Sequence, residues 1–159
     1  MTVQLNPYEM LAAKNFANLR MIANRANAVA NAKMGPQSDD ETDLIGIIAE
    51  IAWAKWKNVY FDVSISPRAG SYDNVTQNER VDIKATTRPN GRLLATAKKK
   101  HEDVDVFVLG IVQDTSTRFV GWAYRSELIC DKNLTNLGYG PTYALDQNSL
   151  HSFTTTTTA

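Results

Sequence analysis

The chain is short of the residues that make covalent or thiolate frameworks. Cys130 is the only cysteine among 159 residues, so an intrachain disulfide network and a thiolate zinc cluster are both excluded. A reducing, cytoplasmic setting is the expectation. Histidine is nearly as scarce: His101 and His151 stand in different contexts, and neither has a partner at a spacing such as HxxxH. That argues against a zinc enzyme. No apolar stretch reaches the length that crosses a bilayer, and the opening MTVQLNPYEM has neither the basic flank nor the apolar run of a secretory signal. Neither membrane partner nor leader is expected. Net charge is also missing. The 17 basic and 17 acidic side chains cancel, which excludes a globally basic nucleic-acid binder but leaves room for a local patch. There is no GxSxG elbow, no GxxxxGK[ST] phosphate loop and no GxGxxG turn. Cys130 has no neighbour that marks it as an activated nucleophile.

What is present fits an ordinary globular chain. Its length suits one domain with a single core, and a hydrophobic fraction of 43% with 21% charged residues is typical of soluble proteins. One domain is expected over residues 1–153. The threonine-rich residues 154–159 need no structure.

Asn6-Pro7-Tyr8-Glu9 reads as a helix start, with Asn6 as cap, Pro7 at the first position and Glu9 closing a capping box. Tyr8, Leu11, Ala12, Phe16, Leu19, Ile22, Ala23, Ala26, Val29 and Ala30 follow at steps of three and four, giving an amphipathic helix over 6–34 stopped by Gly35-Pro36. Arg20 and Asn24 fall on its polar face. The helix is read as a cover or a dimerisation surface before a DNA contact. Ser38-Asp39-Asp40-Glu41 opens a second helix, with acids at the positive end of its dipole. Leu44, Ile45, Ile48, Ile51, Ala52, Lys55 and Trp56 mark its buried side. Glu50 lies off that stripe, one turn from both Gly46 and Ala54. It is either an ordinary surface glutamate or one given room for a ligand.

Residues 58–65, NVYFDVSI, read as a strand, and Pro67-Arg68-Ala69-Gly70 breaks it. Thr76-Gln77-Asn78 reads as a hairpin turn. The strand after it lies in residues 79–89, ERVDIKATTRP, where Val81, Ile83 and Ala85 alternate with Asp82, Lys84 and Thr86. That is the period of a strand with one apolar and one chemical face. Asp73 precedes Asp82 by nine positions, a distance that a hairpin folds back on itself; equally, Asp73 suits a turn in which it bonds its own backbone. Residues 92–100 fit a short helix or an extended segment. Residues 104–112, VDVFVLGIV, read as a buried strand, paired with 118–123.

The chemistry that can be assembled is a carboxylate and lysine set: Glu50 from a helix, Asp73 from a strand or turn, and Asp82 with Lys84 from the central strand. Hard oxygen ligands suit Mg²⁺ or Mn²⁺. Such an ion neutralises a phosphate and lowers the pKa of bound water, while Lys84 can hold or help deprotonate that water. Between residues 84 and 101 there are basic side chains and no acid. Arg88, Arg92, Lys98, Lys99 and Lys100 there form either a phosphate-positioning patch or a solvated loop.

In this order — helix glutamate in GIIAE, hairpin aspartate, strand VDIKAT — the residues resemble the signature of the PD-(D/E)xK nucleases. The later segment, residues 105–109, 119–123 and 125–128, resembles small nuclease-like proteins often found in phage genomes. The resemblance covers roughly residues 40–127 and leaves the N-terminal helix outside. It implies an α/β (α+β) restriction-endonuclease-like fold with an αβββαβ core, a central mixed sheet and an added N-terminal helix, the core lying within residues 38–128. It further implies a Mg²⁺- or Mn²⁺-dependent deoxyribonuclease acting on DNA, with a homodimer as one way to cut both strands. Asp73, Asp82 and the backbone carbonyl of Ile83 would bind the metal. Glu50 would bind through water or a second ion, and Lys84 would act on the nucleophile. Tyr72 stands where the family's name has proline, and the helix that should follow the DxK strand is not clearly written.

Overall fold

The computed structural model describes residues 1–27, 39–65 and 72–153. Its centre is a five-stranded mixed sheet, ordered β1 (Thr2–Gln4), β6 (Ser116–Tyr124), β5 (Val106–Gln113), β3 (Glu79–Thr86), β2 (Asn74–Thr76). Only the β3–β5 pair is parallel; it aligns Asp82 with Phe107 and Lys84 with Leu109. A smaller antiparallel sheet joins β4 (Leu93–Thr96), β8 (Pro141–Leu145) and β7 (Leu134–Asn136). The helices among the described residues are α1 (Pro7–Ala26), α2 (Asp39–Lys57) and the single turn α3 (Arg125–Leu128). The fold is mixed α and β.

Two cores flank the large sheet. On one side Ile47, Ile48, Ala52 and Trp53 of α2 pack with Val81, Ile83, Val106, Val108 and Phe119. On the other, Leu93, Ala95 and Val104 meet Phe107, Leu109 and Ile111. Strand β5 is therefore covered on both faces, as its unbroken apolar run requires. Burying one such aliphatic or aromatic side chain contributes roughly 1.5–3 kcal/mol.

The first helix starts as its sequence dictates. Asn6 caps it, accepting from the Glu9 N–H at 2.9 Å, while the Glu9 carboxylate accepts from the Asn6 N–H at 2.7 Å. The buried face differs from the expectation. Tyr8, Leu11, Leu19 and Ile22 are exposed. The inner stripe is Met10, Ala13, Ala17 and Asn24, with Phe16 alongside, and Arg20 lies at the same spacing. Ala13 and Ala17 are buried in the core shared with α2, where small side chains fit a packed helix face. The described part of α1 ends at Ala26. Val29, Ala30, the Gly35-Pro36 stop and Ser38 lie outside the described residues.

Residues 58–65 do not form a strand. Asn58, at φ 52°, ends α2 in a left-handed turn, and the segment continues as irregular chain. It stays attached at points: the Val59 N–H donates to the Ala54 carbonyl, and Phe61 packs edge-on against Phe16. The hairpin does form. Gln77 and Asn78 both have positive φ, 52° and 66°, the geometry of a two-residue loop whose twist matches its strands. The ambiguous segment 92–100 becomes strand β4 and a turn. The connection between parallel strands β3 and β5 thus runs through a second sheet where the αβββαβ pattern has a helix.

Candidate active site

Hairpin β2–β3 is locked to α2 from beneath. Trp53, buried, donates its indole N–H to Thr76 Oγ1 at 3.0 Å, and Thr76 in turn donates to Asn74 Oδ1 at 3.0 Å. The hairpin register pairs Asn74 with Val81, so one further step sets Asp73 across from Asp82. The Asp73 backbone N–H donates to the Val81 carbonyl at 2.9 Å, and its carboxylate accepts from the Ile83 N–H at 2.7 Å. Asp73 therefore bonds across the hairpin and not to its own turn.

Asp82 is buried, unlike the exposed chemical face expected from alternation. It lies 3% exposed because its face of β3 is covered by the second core. One oxygen, Oδ1, lies 2.7 Å from Lys84 Nζ. The other, Oδ2, is buried with no hydrogen-bond partner among the described residues. An unsatisfied buried carboxylate oxygen is costly and calls for a functional reason.

Glu50 faces inward as well, its side chain 11% exposed. Arg20 of α1 grips it with both ends of the guanidinium, Nη1 to Oε1 and Nη2 to Oε2, each 2.9 Å. This fork-on-fork pairing is the strongest geometry available to an arginine and a carboxylate. The helix placed outside the site thus reaches into it. Burial works against the charge on Arg20, but the Glu50 bonds, with Asp73 and Asp43 nearby, win and raise its pKa. Gly46 leaves space here: a Cβ built on it would sit 4.0 Å from Glu50 Oε1.

These groups share one electrostatic neighbourhood. Burial first, then Glu50 and Asp82, push the Asp73 carboxyl well above the usual carboxylate range, against the opposing effects of Lys84 and the Ile83 N–H. Glu50 and Asp82 thus both disfavour the charged form of Asp73. The donor types, carboxylates with an adjacent backbone carbonyl at Ile83, fit a hard divalent ion. In kind the residues match; in placement they are not drawn around one point. Among the described residues no three Asp, Glu, His or Cys side chains form a ready metal-binding group. Glu50 is held by Arg20 and Asp82 by Lys84.

Two contributors were not singled out from sequence. Arg20 has a signal in retrospect, since Met10, Ala13, Ala17, Arg20 and Asn24 recur at helical spacing. His101 has none. It is buried, its Nε2 lies 2.9 Å from the Thr96 carbonyl, and its ring packs edge-on to Phe107. Its Nδ1 has no partner among the described residues. Burial lowers its pKa, with Lys84 and Lys99 adding to the effect and Thr96 and Asp82 opposing it. Lys99 and the Asp82–Lys84 pair therefore act on the same imidazole. Of the basic run, Arg88 and Lys98, Lys99 and Lys100 are exposed, while Arg92 Nε lies 3.8 Å from Asp146. Cys130 donates its thiol to the Glu127 carbonyl at 3.4 Å, a local structural contact.

No protein-family model, curated protein or solved structure matches this chain.

Proposed function

We propose that the protein is a divalent-metal-dependent nuclease that hydrolyses phosphodiester bonds in DNA, built on a reduced restriction-endonuclease-like core. One observation carries the reading: buried Asp82 keeps one oxygen unpartnered among the described residues while the other lies 2.7 Å from Lys84, and Asp82 with Glu50 adds to the burial that pushes the Asp73 carboxyl upward. A divalent cation is the group that relieves all of these at once. The order of elements supports the core assignment, with Glu50 on α2, Asp73 and the DxK strand on one hairpin, and β5 parallel to β3. The unformed strand at 58–65 and the sheet crossover are departures from it.

In this reading Asp73, Asp82 and the Ile83 carbonyl would hold Mg²⁺ or Mn²⁺, and Glu50 would bind through water or a second ion. When bound, the ion supplies charge neutralisation at the phosphate and a more acidic water. Lys84, held at Asp82, orients the attacking water and balances the charge that develops on the phosphoryl oxygens. The exposed Arg88, Lys98, Lys99 and Lys100 would neutralise backbone phosphates.

The test is cleavage of plasmid and linear DNA with Mg²⁺, with Mn²⁺ and with EDTA. Metal-dependent cutting that is lost in Asp82→Ala and Lys84→Ala, with folding retained, supports the proposal. No cutting of any DNA form by a folded protein removes it. A second reading, a non-catalytic DNA-binding module, draws support from the occupied state of Glu50 and Asp82. DNA binding with no affinity for Mg²⁺ or Mn²⁺ would favour it. The exposed Tyr8, Leu11, Leu19 and Ile22 give α1 an apolar outer stripe suited to a homodimer, which sedimentation would detect.

A further inference from the structure

The pairing that keeps Glu50 away from its neighbours has a consequence for how the site loads. Arg20 occupies both oxygens of Glu50 at 2.9 Å, and Asp43 and Asp73 bear on the same guanidinium. On the other side of Asp73, Lys84 holds one oxygen of Asp82 at 2.7 Å. Glu50 and Asp82, the two carboxylates that bear on Asp73, are thus each held by a cation. A divalent cation that enters must compete with a guanidinium already bound in its best geometry. A guanidinium released from Glu50 has lost its carboxylate and needs another anion. Arginine forks match phosphate oxygens as well as they match carboxylates.

We propose that Arg20 is a counter-ion that exchanges partners: it holds Glu50 while the site is empty and transfers to a phosphodiester when a divalent cation takes Glu50. This rests on the nuclease reading above and goes beyond it, because it makes cation and phosphodiester bind cooperatively. Each removes the partner that hinders the other, and linkage makes the effect reciprocal. Arg20 is then a positioning residue in the empty state and a phosphate contact in the loaded one. A guanidinium that merely braces Glu50 as a ligand gives the opposite sign, since removing it would weaken metal binding.

The experiment is Mn²⁺ binding to the full chain, followed by the loss of the free-ion electron paramagnetic resonance signal. It is run with and without a phosphorothioate-linked oligodeoxynucleotide, which resists hydrolysis. The expected result is that Arg20→Gln binds Mn²⁺ at least about fivefold more tightly than the parent without oligonucleotide, the lower end of usual coupling. Arg20→Lys, which keeps the charge but not the fork, is expected between the two. The oligonucleotide is expected to tighten Mn²⁺ binding in the parent by at least about fivefold and to do so less in Arg20→Gln. Equal or weaker Mn²⁺ binding by Arg20→Gln overturns the exchange, as does an Arg20→Lys protein that matches the parent. Mn²⁺ binding in none of the folded proteins overturns both the exchange and the nuclease reading, whereas binding that ignores Arg20 overturns the exchange alone.

Discussion

The two ends of strand β3 treat their charges in opposite ways. At Arg80 every charge is answered. The Arg80 backbone N–H and Nε donate to Asp105 Oδ2 at 2.8 and 2.9 Å, and Nη2 donates to Oδ1 at 2.8 Å. Led by the Arg80 side-chain bonds, these contacts hold the Asp105 carboxyl down to about 2. Two residues further on, Asp82 is buried with one oxygen unpartnered, and Asp73 beside it is pushed upward. One end stores structure and the other stores electrostatic tension. The difference is not the amount of charge but whether it is balanced in place. Ion pairs fully matched in geometry fasten a loop to a strand. A carboxyl crowded by two others, as Asp73 is by Glu50 and Asp82, costs stability at neutral pH.

The largest expected effect separates the two ends by activity. Asp82→Ala or Lys84→Ala should lower metal-dependent cleavage by about 10²-fold or more, the usual scale for an electrostatic or acid–base group. Arg80→Ala and Asp105→Ala should leave the cleavage rate within a few-fold once measured at a temperature where all remain folded. If the Arg80 end proves as sensitive as the Asp82 end, the distinction collapses.

Next comes stability against pH. Because the fold raises the Asp73 pKa, it favours the protonated form. The stability from this group is full below its ordinary value of 3.8 and is lost as pH rises through the folded value. Asp73→Asn should therefore melt higher than the parent near neutral pH, with the gap closing as pH falls toward 4. Mn²⁺ should raise the parent's Tm and have much less effect on Asp73→Asn. A variant that is less stable at neutral pH would place Asp73 among the structural groups.

The smallest effect belongs to the balanced end. Asp105 is depressed, so its stabilisation is present above 3.8 and is lost as pH falls toward about 2. The pair is more than a third exposed, so Asp105→Ala should cost no more than about 1 kcal/mol and less in high salt. Urea denaturation at low and high ionic strength measures it.

What could be read from sequence follows from where local rules suffice. The Asn6 cap, the hairpin around Gln77-Asn78 and strand β5 are each specified by neighbours in the chain, and all formed. The inner face of α1 departs from the apolar pattern, which favours Leu11, Leu19 and Ile22, because the residues buried in the core with α2 are Ala13 and Ala17. Residues 58–65 form no strand although NVYFDVSI alternates, because Val63 and Ile65 stay exposed and the segment joins neither sheet. Asp82 and Lys84 were placed together by a period of two. That Asp82 is buried, that Arg20 grips Glu50 and that His101 lies near the pair depend on packing between distant segments, which no short-range pattern encodes.

The central claim is that the unbalanced end of β3 holds a divalent ion and the balanced end does not. Crystals soaked in Mn²⁺ and measured at the manganese absorption edge locate the ion directly. The expected result is an anomalous peak bonded to Asp73 and Asp82 at roughly 2.1–2.2 Å, the first-row divalent range, with Glu50 turned away from Arg20 or bridged to the ion by water. No peak at Asp73 and Asp82 in well-ordered crystals, or a peak at Asp105 instead, would contradict it.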